Sequence, residues 1–111
     1  MADKSLIMYS RTIPCPDCER ARQLLTALAV PYQEVMIDLD PAARGRVENL
    51  TGHHSVPTMV VTRPGESAPF PEPRALEPGR SPRGVDRGTV ISEPDMISLR
   101  SWLMGHGFVV G

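Results

Sequence analysis

Residues 6–18 read LIMYSRTIPCPDC, an apolar run followed by a short polar turn and two cysteines three positions apart. The run Leu6–Tyr9 has the length and composition of a buried β-strand. From Pro16 to about residue 29, apolar side chains recur at helical spacing, at Ala21, Leu24, Leu25 and Leu28. Proline suits the first turn of a helix, where its missing N–H has no partner to lose. The stretch therefore predicts a strand that turns directly into a helix, with both cysteines where the helix begins.

The next two elements continue this alternation of strand and helix. Residues 32–39 alternate between apolar and polar side chains, which predicts a second strand with one apolar face. That face carries Val35, Ile37 and Leu39. Asp40 and Pro41 form the N-cap and the first position of a predicted second helix, and Gly52 ends it.

Two more strands and a helix complete the predicted fold. Residues 58–62 and 89–91 predict the strands, and residues 92–95, which read Ser-Glu-Pro-Asp, cap the helix. The apolar side of this helix is formed by Met96, Leu99, Trp102 and Leu103. The order β-α-β-α-β-β-α predicts an α/β sandwich with a central four-stranded mixed sheet and three flanking helices. The first two strands should be parallel, because a right-handed crossover joins them, and the last two antiparallel.

Composition limits the class of protein. The chain has 111 residues, 41% apolar and 23% charged, which predicts one domain over residues 1–111. Twelve Lys and Arg oppose thirteen Asp and Glu, so there is no basic excess of the kind that binds nucleic acid or membrane surfaces. No apolar run approaches the ~20 residues that span a bilayer, and the N-terminus lacks the apolar region of a signal peptide. We expect a cytoplasmic monomer that binds neither nucleic acid nor membrane.

Residues 63–87 differ in composition, with six prolines, three glycines and five arginines. The large apolar side chains of this segment, Phe70, Leu76 and Val85, follow no period. Proline removes backbone donors, and so few apolar groups do not offset the entropy lost on ordering. We interpret the segment as a Pro/Arg-rich surface insert that is dispensable for fold and chemistry. Alternatively, residues 69–73 bind a partner as polyproline II, which would make the chain a redox-sensitive adaptor.

Cys15 and Cys18 are the only two cysteines, and their spacing at a helix start brings both sulfurs within bonding distance. The unpaired N–H groups and the dipole of a helix N-terminus stabilise a thiolate at Cys15. Pro16 modulates this effect because it donates no hydrogen bond, whereas Asp17 should raise the pKa of the Cys15 thiol. Positive potential is expected from Arg11, Arg20 and Arg22. These residues predict a reactive dithiol in which Cys15 attacks and Cys18 resolves.

A zinc site is an alternative use of the cysteine pair. His53 and His54 would complete a set of two cysteines and two histidines by count. Adjacent histidines do not readily ligate one tetrahedral ion, however, so we expect no bound metal. The remaining alternative, a pair of inert core cysteines, is disfavoured because this spacing beside a βαβ pattern is a redox signature.

The cysteine motif and residues 55–58, which read Ser-Val-Pro-Thr, together resemble the glutaredoxin family of the thioredoxin fold. The resemblance covers residues 4–62 and 88–105. It implies a thioredoxin-like sandwich and a thiol–disulfide oxidoreductase, with Pro57 as a cis-proline that faces the reactive cysteine. It also implies that the backbone of Val56 pairs with the substrate cysteine.

The same resemblance implies two further substrate-binding positions. His54 stands where the family often has a polar or basic residue that meets the glycine carboxylate of the thiol, although a solvated loop histidine explains it equally well. Asp95 falls at the aspartate of a Gly-Gly-x-Asp sequence, where the γ-glutamyl carboxylate of glutathione docks. The glycine pair is absent here, because residues 91–95 read Ile-Ser-Glu-Pro-Asp.

This departure leaves the reductant open. Residues 94–97 resemble the NrdH-redoxins, which thioredoxin reductase reduces, and mycoredoxins also have a polar residue followed by proline there. The resemblance implies disulfide-containing proteins as substrates and no bound cofactor. It implies glutathione, another low-molecular-weight thiol or thioredoxin reductase as the source of electrons.

Arsenate reductases and Spx-like proteins provide a second family resemblance. Tyr9, the cysteine pair, residues 21–22 and residues 30–32 occur there in roughly the same arrangement. The motif at residues 55–58 counts against this alternative. So does the lack of an arginine–proline pattern before the last strand.

Overall fold

The computed structural model describes residues 4–109 and contains the predicted succession of elements. Residues 1–3, on which the expectation of a missing signal peptide partly depends, lie outside the described residues. The elements are β1 (Ser5–Ser10), α1 (Pro16–Ala27), β2 (Gln33–Met36), α2 (Pro41–Thr51), β3 (Thr58–Thr62), β4 (Val90–Ser92) and α3 (Met96–Gly105). Between residues 4 and 109, no helix has both the length and the apolar character to cross a membrane.

The strands form one four-stranded mixed sheet in the order β2-β1-β3-β4. β1 and β2 are parallel, with Tyr9 opposite Val35, and β3 is antiparallel to both β1 and β4. The predicted strand directions are therefore confirmed. β1 lies inside the sheet. Its last residue, Ser10, leads into the turn that precedes the cysteines.

The helices cover both faces of this sheet. On one face, α1 and α3 bury Leu25 and Leu99 in a cluster with Met8. On the other face, α2 buries Val47 in a cluster with Val60. Full burial of such a side chain contributes about 1.5–3 kcal/mol, so the two clusters hold the three layers together. A mixed four-stranded sheet between these helices is the thioredoxin-like fold, as predicted.

The second strand is shorter than its alternating pattern predicts. It ends at Met36, and a turn follows in which the N–H of Asp40 donates to the carbonyl oxygen of Met36 at 3.1 Å. Ile37 is still buried, but Leu39 is 71% exposed, so the prediction that Leu39 shares the buried face is wrong. The turn places Asp40 to cap α2 with its carboxylate, and Gly52, at φ +77°, ends that helix as predicted.

Most of the insert, residues 63–87, lies on the surface, as predicted. Phe70 is 49% exposed, and the Arg63 guanidinium lies 3.8 Å from the centre of its ring. The N–H of Phe70 donates to the carbonyl oxygen of Val61 at 3.0 Å, so the insert leaves the sheet along β3. The aromatic ring therefore packs against an arginine of the insert rather than into the core.

The C-terminal end of the insert is anchored to the domain. Arg83 forms a parallel bridge with Ser92 at the outer edge of β4, where the N–H of Gly84 donates to the Ser92 carbonyl at 2.8 Å. Arg87 is only 8% exposed, and it donates a hydrogen bond to the carbonyl oxygen of Leu50, near the end of α2, at 2.5 Å. These polar anchors were not predicted, because the composition of the segment indicated a solvated loop.

Candidate active site

The cysteine pair lies at the N-terminus of α1. Cys15 is the N-cap, Pro16 is the first helical residue, and the N–H of Cys18 points to the Cys15 Sγ at 3.2 Å. The two sulfurs are joined as a disulfide, with Cα atoms 5.2 Å apart. Cys18 is 1% exposed, whereas Cys15 is partly exposed. A thiol or disulfide in solvent therefore reaches Cys15 before Cys18.

The turn before Cys15 is held by hydrogen bonds to Asp38, which lies in the turn after β2. The carboxylate of Asp38 accepts hydrogen bonds from the Thr12 N–H at 3.0 Å and from its hydroxyl at 2.5 Å. The Thr12 hydroxyl is the main reason that the pKa of the Asp38 carboxyl lies below its usual value. Ile13, in the same turn, is 62% exposed and presents an apolar side chain beside the cysteines.

Asp17, between the cysteines, is paired with two arginines. Its carboxylate contacts Arg20, one turn further along α1, and Arg83 of the insert at 3.5 Å. Arg83 also donates to Glu93 at 2.7 Å. The negative charge that was expected to act on Cys15 is therefore balanced, in part by a residue distant in sequence.

Arg22, which was expected to add positive potential at the cysteines, is compensated by two acidic side chains. Arg22 pairs with Glu34 at 2.6 Å and with Glu19 at 2.5 Å. The hydrogen bond between Arg22 and Glu34 raises the pKa of Arg22 and lowers the pKa of Glu34. Both groups therefore stay charged and compensate each other. Arg11 is exposed and donates to the carbonyl oxygen of Pro14 at 3.1 Å.

Val56 belongs to the same buried cluster as Cys18, and Pro57 follows it in the chain. The Val56–Pro57 peptide bond is cis, as the resemblance implies. Val56 is 7% exposed in a cluster that contains Cys18, and Cys15 packs against that cluster. Within residues 4–109, the N–H and C=O of Val56 form no hydrogen bond to another backbone group.

His54 and Asp95 both contact residues that are close to them in the sequence. The Nε2 of His54 lies 2.8 Å from a carboxylate oxygen of Glu48, and this pair is more than half exposed. Asp95 is the N-cap of α3, and its carboxylate accepts the Ser98 N–H at 2.8 Å. That bond lowers the pKa of the Asp95 carboxyl.

Two depressions adjoin the cysteine motif. One, of about 190 Å³, is lined by residues that include Arg11, Ile13, Cys15, Cys18 and Met36. The other, of about 450 Å³, is lined by residues that include Asp17, Arg20, Arg83, Glu93 and Asp95. The structure thus brings Arg11 to the cysteines and Asp95 to the side of Asp17, whereas His54 lines neither depression.

Sequence reasoning missed three of these residues. Ile13 carried a usable signal, because a large apolar side chain stands in an otherwise polar turn. Glu93 and Arg83 carried none, since their importance depends on a contact between the insert and the end of β4. In the sequence of a proline-rich segment, a charged residue that will form such a contact looks the same as one that stays in solvent.

The zinc alternative needs both cysteines and both histidines to converge. In the chain from residue 4 to residue 109, no three His, Cys, Asp or Glu side chains are grouped so as to hold a metal ion. The cysteines bond to each other, and His54 contacts Glu48.

A glutaredoxin family model matches residues 6–63, just over half of the chain. The match includes the cysteines and residues 55–58, and it excludes nearly all of the insert and α3. A search of the curated proteins finds no match. The match is to the first of the two families that the sequence resembles. The chain belongs to the glutaredoxin family of thiol–disulfide oxidoreductases.

Proposed function

We propose that this protein reduces protein disulfides and mixed disulfides with the Cys15–Cys18 dithiol. The observation that carries the proposal is the unequal exposure of the two sulfurs at a helix N-terminus. Cys15 is accessible and lies at the positive end of the α1 dipole, which stabilises a thiolate. Cys18 is buried directly behind it and already bonded to it, so it is in position to resolve a mixed disulfide.

The exchange proceeds in two balanced steps. The Cys15 thiolate attacks one sulfur of a substrate disulfide, forms a mixed disulfide and releases the other substrate sulfur as a thiolate. The Cys18 thiolate then attacks the Cys15 sulfur, forms the intramolecular disulfide and releases the second substrate thiol. Two electrons have passed to the substrate, and a reductant must return two to the Cys15–Cys18 pair.

The backbone of Val56 is proposed to orient the substrate. Its N–H and C=O are unbonded to other backbone groups within the described residues, and its side chain belongs to the cluster that includes Cys18. A substrate segment bonded to Val56 in a short β-like bridge would present its cysteine sulfur to Cys15. Pro57 supports this role because it has no N–H to compete.

Glutathione, another low-molecular-weight thiol and thioredoxin reductase are the proposed sources of electrons. His54 and the backbone N–H of Asp95 are proposed to donate to the carboxylates of a small thiol, in the places that the family uses. We further propose that the protein acts in the cytoplasm, because a catalytic dithiol needs a reducing compartment to be regenerated. We also propose that it acts as a monomer. Purified protein assayed in parallel with each reductant identifies which one supports turnover.

The cysteine roles are tested by single substitutions in the full chain. Cys15→Ser should abolish exchange with a small mixed disulfide, because it removes the attacking thiolate. Cys18→Ser should accumulate a mixed disulfide on Cys15, detected as an added mass in an unreduced sample. The sequence has no third cysteine, so each trapped adduct has one possible position. Equal trapping by both variants would contradict the assignment.

A further inference from the structure

Arg83 reaches the active site from the insert. Its guanidinium lies 3.5 Å from the Asp17 carboxylate and donates to Glu93 at 2.7 Å. Asp17 is 29% exposed and Glu93 22%, so both acids are partly screened from water. The arginine therefore connects the residue between the cysteines with the segment that precedes α3.

The backbone around Arg83 is fixed in place. The N–H of Gly84 donates to the Ser92 carbonyl at 2.8 Å, and Pro82 is buried. Gly84 has φ +71°, a conformation that a residue with a Cβ adopts only under strain. These constraints hold Arg83 beside β4, so its approach to Asp17 follows from the path of the chain.

Glu93 ties this arrangement to residue 57. The N–H of Glu93 donates to the carbonyl oxygen of Pro57 at 2.7 Å, while its carboxylate accepts from Arg83. The contacts run from Pro57 through Glu93 and Arg83 to Asp17, which stands next to the dithiol. The insert is thus connected to both halves of the site.

We propose that Arg83 is a positioning residue that sets the reactivity of Cys15 by neutralising and holding the carboxylate of Asp17. The proposal rests on the proposed function, since it concerns the same nucleophile. A free carboxylate beside the helix N-terminus would oppose the thiolate, whereas a carboxylate bound to Arg83 opposes it less. The insert would then regulate the chemistry of a site to which it contributes no reacting atom.

Arg20 also pairs with Asp17 and lies closer to it than Arg83 does, and both arginine side chains are more than half exposed. Arg83 differs because it also binds Glu93, so it ties Asp17 to the segment before α3, whereas Arg20 lies on the same helix as Asp17. The remaining charged neighbours are Arg11, Glu19 and Arg22 beside the cysteines, and Glu93 and Asp95 before α3. Ordinary Asp, Glu and Arg groups keep their charge across about pH 6–10, so a titration in that range reports the thiol.

The test measures alkylation of the reduced full-length protein by iodoacetamide as a function of pH, with the label located on Cys15 by mass spectrometry. Arg83→Gln releases the Asp17 carboxylate from its partner, and an uncompensated unit charge about 8 Å away in water raises the pKa of a thiol by about 0.4, so the pKa of Cys15 should rise by up to that amount. Arg83→Lys should stay near the wild type because it keeps the charge. Arg80→Gln, an exposed insert arginine, is the matched control and should change nothing.

The same substitution in an Asp17→Asn background should raise the pKa less than half as much, because the carboxylate that Arg83 holds is gone. An unchanged profile for Arg83→Gln would overturn the proposal. An equal rise in both backgrounds would overturn the action through Asp17. A merely structural role predicts instead a lower Tm with no change of profile. Because alkylation needs no substrate disulfide, a failed exchange assay would refute the proposed function and leave this measurement intact.

Discussion

Replacing Arg87 by methionine should destabilise the protein, although the residue belongs to an insert that composition marks as a loop. The Arg87 guanidinium donates to the carbonyl oxygens of Leu50 at 2.5 Å and Arg74 at 2.7 Å. Hydrogen bonds from a charged donor contribute about 1.5–3 kcal/mol each. Part of that gain is offset, because burial of this 8% exposed residue lowers the pKa of the guanidinium and so disfavours its charge. Methionine keeps an apolar stem and leaves both carbonyls without this donor, so we expect a net loss of about 2 kcal/mol.

Thermal unfolding of the reduced protein, followed by circular dichroism, measures this loss. In a domain of this size 1 kcal/mol corresponds to about 4 °C, so Tm should fall by about 8 °C. Arg80→Met is the matched control, because that side chain is exposed in the same insert and should leave Tm within about 1 °C. A fall of less than about 3 °C for Arg87→Met would refute the reasoning, since it would mean that relief from desolvation cancels the lost hydrogen bonds.

Two other substitutions test individual hydrogen bonds of side chains outside the cysteine motif. The hydrogen bond from Arg22 lowers the pKa of Glu34 below 4.5, so the ionised group stabilises the fold above that pH and loses the effect as the pH falls. Glu34→Gln should therefore lower the urea midpoint at pH 7, the difference from the wild type should shrink as the pH falls below 4.5, and a constant difference would contradict this. Trp102→Phe should cost about 1 kcal/mol, because the 4% exposed indole donates to the Gly88 carbonyl at 2.8 Å. Urea unfolding checks the loss, and equal stability would show that this hydrogen bond contributes nothing.

The fold was predictable where a signal and its partner lie close together in the chain. Asp40 and Gly52 mark both ends of α2, and each acts through backbone groups within one helical turn. The failure at Leu39 arises where two local signals compete. Alternation of side chains predicts a strand, but it does not reveal that the chain must turn early for Asp40 to cap the next helix. The capping requirement overrode the pattern.

The placement of the two sulfurs followed from spacing alone, whereas their electrostatic environment did not. Two residues separate Cys15 from Cys18, so a helix start brings them together in any protein that forms it. Asp17 and Arg22 also stand close in sequence, which suggested one unfavourable and one favourable charge. In the structure, Glu34 of β2 compensates Arg22, and Arg83 of the insert compensates Asp17. The balance at the thiol is therefore a tertiary property.

The role of the insert also depends on contacts that form only in the folded chain. Prolines and arginines correctly predicted a segment that builds no hydrophobic core, yet a segment can be anchored by polar groups instead. Arg87 and Arg83 are two of its five arginines, and one is buried against carbonyl oxygens while the other pairs with acids at the active site. Hydrophobic periodicity does not register such contacts, because a guanidinium gains its partners only after the chain has folded. Dispensability for the core therefore does not imply dispensability for the chemistry, and deleting residues 63–87 would remove the anchor at Arg87 and the partner of Asp17 together. Single substitutions at the two arginines separate these effects, because one changes Tm and the other changes the pH dependence of Cys15.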